Sequence, residues 1–220
     1  MKYKFNYFEF DVSNELPKQW DKDILEYVYA NAGTVKIVPT DSITSRESLD
    51  VTEVPTLVID GKEIRENFPW LYDLYEDVFL EYAKESFESD NIFTSEEDLY
   101  ALNFNIQKGS NMRYECHVDS NPIQGVLYVT THQKGSGGEL VISENSKSIG
   151  VEEIDMDAIE IYPKKGSLYL FPGCHYPHYV RPLNEENGIR VSITMNFYTE
   201  ENPEKNRPKD LNMHLFDKEK

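Results

Sequence analysis

Basic residues are scarce in this chain: 22 Lys and Arg stand against 40 Asp and Glu, a formal net charge of −18. Such an excess of negative charge repels phosphate backbones and anionic bilayers, so nucleic-acid and membrane-surface roles are disfavoured. It keeps the chain in solution, and it would also draw in a basic substrate. Cysteine is nearly absent. Cys116 and Cys174 alone offer neither a zinc-ligand spacing nor a dense disulfide framework. No apolar run approaches the roughly 18 residues of a membrane span. The opening stretch MKYKFNYFEFDVSNELP holds no sustained apolar segment of the signal-peptide kind. No internal repeat or low-complexity tract is evident. These absences together predict a soluble, cytoplasmic protein.

What is present is enough chain to bury a core without staples: 220 residues, with 15 Tyr and 11 Phe as large apolar side chains. The first ninety or so residues read as mainly helical with extended pieces. Ile24, Leu25, Val28, Tyr29 and Ala32 recur at helical spacing. A second stripe of Leu71, Leu74, Tyr75, Val78, Phe79 and Tyr82 predicts one amphipathic helix. Asn67 is its candidate N-cap, with Pro69 in its first turn. TVKIV (34–38) and VPTLVID (54–60) read as strands, the second ending in the turn residues Asp60 and Gly61.

From about residue 99 the texture changes to short β-rich runs, LNFNIQ, GVLYVTT, ELVIS, AIEIY, GSLYLF and RVSITMNFY, parted by Gly, Asn, Pro or charged residues. Strands of that length and spacing indicate a sandwich or barrel-like double sheet. The expected organisation is a mainly helical supporting region over 1–98, a β core over 99–200 and a polar, loosely docked extension over 201–220. The acidic ESFESDN (85–91) is the expected joint between the first two.

Two segments carry chemistry. In Tyr114-Glu-Cys-His117-Val-Asp119 the alternation of a strand puts His117 and Asp119 on one face, close enough to share a metal. They supply two thirds of a 2-His-1-carboxylate triad, which leaves open positions on a six-coordinate Fe(II). Alone, the same pair could simply hydrogen-bond a turn. The second segment, GSLYLFPGCHYPHYVRP (166–182), runs from a strand through a Pro-Gly turn to a histidine. Twelve residues after His178, the strand at Arg190 alternates Arg190, Ser192, Thr194 and Asn196 with Val191, Ile193, Met195 and Phe197. A polar face with one arginine fits a strand lining a cavity. Its guanidinium matches a carboxylate, and the Ser192 hydroxyl can add a donor beside it. The plainer alternative is an edge strand with a surface ion pair.

In order along the chain, GSNMRYECHVD (109–119), LYVTT (127–131), GGEL (137–140), GSLYLFPG (166–173), HYVRP (178–182) and GIRVSITMNFY (188–198) resemble the Fe(II)/2-oxoglutarate dioxygenase superfamily, and within it the prolyl-4-hydroxylase-like branch. The resemblance covers under half of the chain. It implies an α+β fold with a double-stranded β-helix (jelly-roll) core buttressed by N-terminal helices. It implies Fe(II), 2-oxoglutarate and O2 as reactants, with ascorbate as a candidate reductant. His117, Asp119 and His178 correspond to the iron ligands and Arg190 to the residue that binds the distal 2-oxoglutarate carboxylate. Tyr128 corresponds to a tyrosine sharing that contact, and Tyr114 to an aromatic lining the pocket. His175 competes for the third ligand position, but only His178 is followed by Val180 and Pro182 at the family's spacing. Gly137 and Gly138 read as hairpin residues, Cys116 and Cys174 as strand and turn residues, and His132 and His214 as surface residues. Halogenating relatives lack the carboxylate that Asp119 supplies, so its presence implies hydroxylation. The expected substrate is a prolyl residue in a peptide or protein. The alternatives are a free amino acid or other small molecule, and a non-catalytic metal- or ligand-binding protein of the same fold. Residues 1–95 match no substrate-recognition element.

Overall fold

The computed structural model of the chain describes residues 5–31, 33–37, 42–47 and 53–209. Its strands are β1 (Phe8–Asp11), β2 (Thr34–Ile37), β3 (Glu53–Ile59), β4 (Ile92–Thr94), β5 (Leu102–Lys108), β6 (Tyr114–His117), β7 (Ile123–Tyr128), β8 (Leu140–Ser143), β9 (Ala158–Ile161), β10 (Ser167–Phe171), β11 (His178–Val180) and β12 (Ile189–Thr199). Its helices are α1 (Trp20–Ala30), α2 (Gly61–Asn67), α3 (Pro69–Glu76), α4 (Val78–Ser86), α5 (Asp98–Ala101) and α6 (Gly150–Asp155). Among the described residues no helix is long and apolar enough to cross a membrane.

The strands form a major sheet in the order β1-β10-β7-β12-β5-β3-β2, with β4 also paired to β12, and a minor sheet in the order β6-β11-β8-β9. All the strand pairs are antiparallel. This is the α+β double-stranded β-helix. The outer face of the major sheet carries Leu102, Phe104, Ile106, Val191, Ile193, Met195 and Phe197, all buried in one cluster with Ile24, Val28, Leu71, Tyr75 and Phe79 of α1, α3 and α4. The helices lie on this face because its alternate residues are apolar along both β5 and β12. Between the sheets a smaller cluster joins Val126, Tyr128 and Phe171 to Leu140, Ile142 and Val180. The remaining space between the sheets is a cavity lined by both apolar side chains, such as Val126 and Phe171, and polar ones, such as Asn103 and Thr194.

The N-terminal region differs from its expected form in several places. The expected strands are present as β2 and β3 at one edge of the major sheet, and an unexpected one, β1, forms the other edge. Asp60 and Gly61 do not close a turn; they start α2, where Asp60 Oδ1 accepts the Glu63 N–H at 3.0 Å. Gly61 tolerates no side chain, since a Cβ there would stand 1.9 Å from the Asp98 carbonyl oxygen. Asn67 is the last residue of α2 rather than an N-cap, and its amide donates to Tyr27 Oη and the Glu63 carbonyl. Pro69 does open a helix. The stripe from Leu71 to Tyr82 is carried by two helices, because Asp77, at φ −118° and ψ −87°, breaks the run between α3 and α4. Tyr29 is 64% exposed, and α1 buries Trp20, Ile24 and Val28 instead. Ala32 and Val38 lie outside the described residues. The segment after 201 is docked at its start: Arg207 is held by Glu97 at 2.9 Å and Glu204 at 2.7 Å.

Candidate active site

The site sits between the sheets, where β6 and β11 run side by side and His178 is the direct cross-strand partner of His117. Their rings are 4.3 Å apart between centroids. Asp119 lies two residues beyond His117, past the end of β6, and its N–H donates to the Gly173 carbonyl at 3.1 Å. The Pro172-Gly173 turn after β10 thus sets the carboxylate against the two imidazoles. Asp119 Oδ1 is 3.4 Å from His117 Nε2, and Oδ2 is 3.5 Å from His178 Nε2. His117, Asp119 and His178 are the group of possible metal ligands among the described residues, with one donor atom of each lying within 4.8 Å of the others. His175 is exposed and stands outside this group.

The chemistry of the donor set suits a metal ion. Each histidine directs Nδ1 at a backbone carbonyl two residues back, His117 to Glu115 at 2.9 Å and His178 to Tyr176 at 2.8 Å. A carbonyl only accepts, so the proton resides on Nδ1 and the lone pair on Nε2. Two imidazole lone pairs and a carboxylate then converge with no donor hydrogen between them, and a shared cation stabilises such a set. Asp119 Oδ2 is buried and accepts no aligned hydrogen bond. Burial opposes ionisation of Asp119, but positive charge on the side of His178 and His117, carried by the rings as imidazolium or by a cation in the proton's place, outweighs it and holds the carboxyl well below its usual range. Gly173 is required here, since a Cβ would stand 1.9 Å from Asp119 Oδ2. The residues fit an Fe(II) of the facial-triad type.

Across the cavity, Arg190 on β12 is 1% exposed. Its Nε donates to the Gly138 carbonyl at 2.7 Å and a terminal nitrogen to Ser192 Oγ at 3.0 Å. Among the described residues no carboxylate forms a salt bridge with it. A buried guanidinium with no counter-ion is a receptor for an anion, because burying the charge alone is costly. Arg190 and Ser192 line the cavity, and so do Tyr114 and the three clustered residues. Tyr114 packs on His117, with the rings 4.8 Å apart. Tyr128 is fully buried beside Arg190, the guanidinium carbon 5.3 Å from its ring centre, and its hydroxyl interacts with the guanidinium without a well-aligned hydrogen bond.

Some contributors were not legible in the sequence. Gly138, at φ +80°, does more than turn a hairpin, since its carbonyl holds Arg190 and a Cβ would meet Arg190 Cδ at 3.2 Å. The segment 42–47 runs along β6, with the Val118 N–H donating to the Thr44 carbonyl at 2.9 Å, and puts Thr44 on the cavity wall. On β5, Asn103 and Asn105 face the same space. His132 is half-buried rather than free on the surface, its Nε2 3.0 Å from the Ile189 carbonyl. Cys116, fully buried, and Cys174, half-buried, are both free thiols. Cys116 faces away from the site, among Val141, Ile154 and Tyr179. His214 lies outside the described residues.

Residues 102–198 match the model of the 2OG-Fe(II) oxygenase superfamily. No curated protein sequence matches the chain. Among solved structures, an oxidoreductase of the 2OG-Fe(II) oxygenase family from Burkholderia pseudomallei superposes with a TM-score of 0.59 at 12% identity, covering 92% of this chain and 89% of its own. A prolyl hydroxylase from Trichoplax adhaerens, solved with a peptide fragment of a hypoxia inducible factor, gives 0.58 at 16% identity, covering 89% and 84%. EctD from S. alaskensis with bound Fe gives 0.58 at 13% identity, covering 90% and 74%. At these identities the superpositions speak for the fold, and the matched core with its metal-ligand group speaks for the chemistry. Residues 102–198, which carry the metal-ligand group, are thus similar to the 2OG-Fe(II) oxygenase superfamily, and the similarity indicates an oxidoreductase that uses Fe(II), 2-oxoglutarate and O2.

Proposed function

We propose that this oxygenase is a hydroxylase of prolyl residues in a peptide or protein. His117, Asp119 and His178 would hold the iron, and Arg190 with Ser192 and Tyr128 the distal carboxylate of 2-oxoglutarate. The observation that carries this reading is one cavity with the 2-His-1-carboxylate group on one wall and a buried, counter-ion-free Arg190 on the other. The bound iron and 2-oxoglutarate supply O2 activation, with 2-oxoglutarate oxidised to succinate and CO2 as one oxygen atom enters the substrate.

The residues of the chain do the positioning. The Nδ1–H bonds of His117 and His178 fix both rings with Nε2 inward. Gly173 leaves room for Asp119 and fastens its backbone. Gly138 aims Arg190, which would hold the cosubstrate by its distal carboxylate. Phe171, edge-on to His178 at 5.4 Å, and Tyr114 line the metal side with rings that exclude water. Asp119 occupies the position a halide would need, which favours hydroxylation. The peptide preference draws support from the Trichoplax adhaerens relative and its peptide. The −18 charge suits a substrate with basic flanking residues, and the two free thiols suit a cytoplasmic setting.

The test is Fe(II)-dependent succinate release from 2-oxoglutarate, with and without proline-containing peptides that carry lysine flanks, followed by mass spectrometry of the peptide. Stimulated turnover with gain of one oxygen atom on proline is expected. Turnover stimulated by a free amino acid and by no peptide would move the assignment to a small-molecule hydroxylase. Metal binding with no succinate at all would make it a binding protein.

A further inference from the structure

The cavity holds a second cation at the end away from Arg190. Along β12 its polar face runs from Arg190 through Ser192 and Thr194 to Asn196, six residues of extended chain or about 20 Å. Asn196 is tied there to α5, its amide donating to the Tyr100 carbonyl at 2.6 Å. Tyr100 lines the cavity, and the guanidinium of Arg207 lies over its ring, 3.4 Å from the centre. Arg207 lines the cavity as well, although it belongs to the segment that follows the last strand. Its two terminal nitrogens reach different carboxylates, one at 2.7 Å from Glu204 Oε1 and the other at 2.9 Å from Glu97 Oε1. The buried Tyr198 hydroxyl interacts with the same guanidinium. A ring face, two carboxylates and a phenol around one planar cation are the parts of a guanidinium receptor.

The receptor and its occupant are held separately. Glu204 has a side chain only 11% exposed, and its carboxylate is fastened to the start of the connection before α5. Its Oε2 accepts the Glu96 N–H at 2.7 Å, and its Oε1 accepts the Ser95 hydroxyl. Glu97 and Tyr100 come from the same stretch of chain. Among the described residues the Arg207 backbone makes one hydrogen bond, from its N–H to the Glu204 carbonyl at 2.9 Å. The carboxylates therefore keep their places if the Arg207 side chain swings out. Glu204 would then be a nearly buried anion without a cation, an unfavourable state until another cation arrives. Exchanging one guanidinium for another leaves the set of ion pairs unchanged, so displacement by a like group carries little net cost.

We propose that Arg207 is a built-in occupant of a guanidinium subsite, displaced by an arginine side chain of the substrate as it enters the cavity. The inference rests on the oxygenase reading, since it takes the cavity as the substrate's. A tethered occupant lowers the apparent affinity for substrate by the fraction of time that it fills the subsite.

Arg207→Ala empties the subsite, and Arg207→Gln does so with a longer stem if the alanine variant does not fold. In the full-length variant, ethylguanidinium should raise the melting temperature, and the neutral ethylurea of the same shape should not. Adding Glu204→Gln should abolish the rise. An equal response to the two compounds, or an ethylguanidinium response no larger than in wild type, overturns the subsite. Displacement is read as the binding of labelled proline peptides to protein loaded with Mn(II) and 2-oxoglutarate. Each peptide carries arginine, or its neutral analogue citrulline, at one position flanking the proline. An arginine peptide should bind Arg207→Ala on the order of tenfold more tightly than wild type, and its citrulline twin should bind both alike. Arginine peptides that bind both proteins equally, or the variant more weakly, would show that Arg207 only fastens its segment. If no peptide binds either protein, the peptide reading fails and displacement by a peptide with it, whereas the ethylguanidinium result decides the subsite by itself.

Discussion

The major and minor sheets differ in length, in what holds them and in the chemistry they present. β12 in the major sheet runs for 11 residues and is paired in unbroken register on both sides, Ile189–Met195 against β5 and Ser192–Phe197 against β7. Its underside is sealed by the helices. The minor sheet is made of strands of three or four residues. The register of β11 against β6 shifts between His178 and Val180. Arg181 ties its outer side through Glu139, Asp155 and Glu160 at 2.6–2.9 Å. In the function proposed above, the long sheet carries the side chains that would face organic ligands, and the short irregular one, with the turn after β6, the residues that would hold the metal. Short strands position a ligand poorly by themselves. The two Nδ1–H bonds and the Asp119–Gly173 contact are the local locks that compensate.

Removing a metal ligand should break the comparison most severely. In Asp119→Ala, two imidazoles remain without the carboxylate that balances a divalent charge. Iron-dependent succinate release should fall to background, and the rise in melting temperature on adding Mn(II) should disappear. Arg190→Ala tests the other sheet. The metal-induced stabilisation should survive, while the KM for 2-oxoglutarate rises on the order of 100-fold through loss of a buried charge-assisted contact. If the cosubstrate KM is unchanged in that variant, Arg190 does not hold the carboxylate and the division of labour between the sheets is wrong.

How much of this was legible follows from range along the chain. The alternation on β12 puts Arg190, Ser192, Thr194 and Asn196 opposite Val191, Ile193, Met195 and Phe197 within eight consecutive positions, so a strand with one polar face is visible locally. His117 and Asp119 are separated by one residue and share a face for the same reason. The partners that make these residues work come from far away. Gly138 holds Arg190 across 52 positions, and Gly173 accommodates Asp119 from another sheet. Asn103 and Asn105 read as ordinary strand residues until pairing with β12 shows which face they share. β1 went unseen because Phe8, Phe10 and their neighbours form a four-residue edge strand whose identity depends on pairing with β10. The break between α3 and α4 was hidden because the apolar stripe continues across Asp77 in phase.

A smaller effect separates the sheets by what stabilises them. Arg181→Ala removes the hub that joins Glu139, Asp155 and Glu160, and leaves Glu139 buried at 5% exposure without its cation. Arg181 is itself partly exposed, so solvent screening keeps the cost to about 2 kcal/mol, a drop in melting temperature of roughly 4–8 °C. Raising the salt concentration should narrow the difference between wild type and variant, since the network is partly open to water. A difference that does not change with salt would mean that packing of the Arg181 side chain, rather than its charge, holds α6 and β9 to the rest of the minor sheet.

The smallest expected effect lies at His132, between the β7 end of the major sheet and Arg190. Burial disfavours its imidazolium; the bond to the Ile189 carbonyl partly offsets this, and the charge of Arg190 adds to the lowering. Its folded pKa therefore lies below the unfolded value of about 6.5. The unfolded chain then binds more protons in the interval between the two pKa values, so stability rises with pH there. The contribution is absent as a penalty above the unfolded pKa and grows as pH falls from about 6.5 through the folded value. Chemical denaturation between neutral and mildly acidic pH should show a steeper loss in wild type than in His132→Gln, which keeps a donor for Ile189 but cannot titrate. Binding of 2-oxoglutarate would set a carboxylate beside Arg190 and relieve part of its repulsion on His132. The difference between wild type and variant should therefore shrink when 2-oxoglutarate and Mn(II) are present. Parallel slopes with and without the cosubstrate would place its carboxylate elsewhere in the cavity, and would separate the anion site from Arg190 without disturbing the metal group.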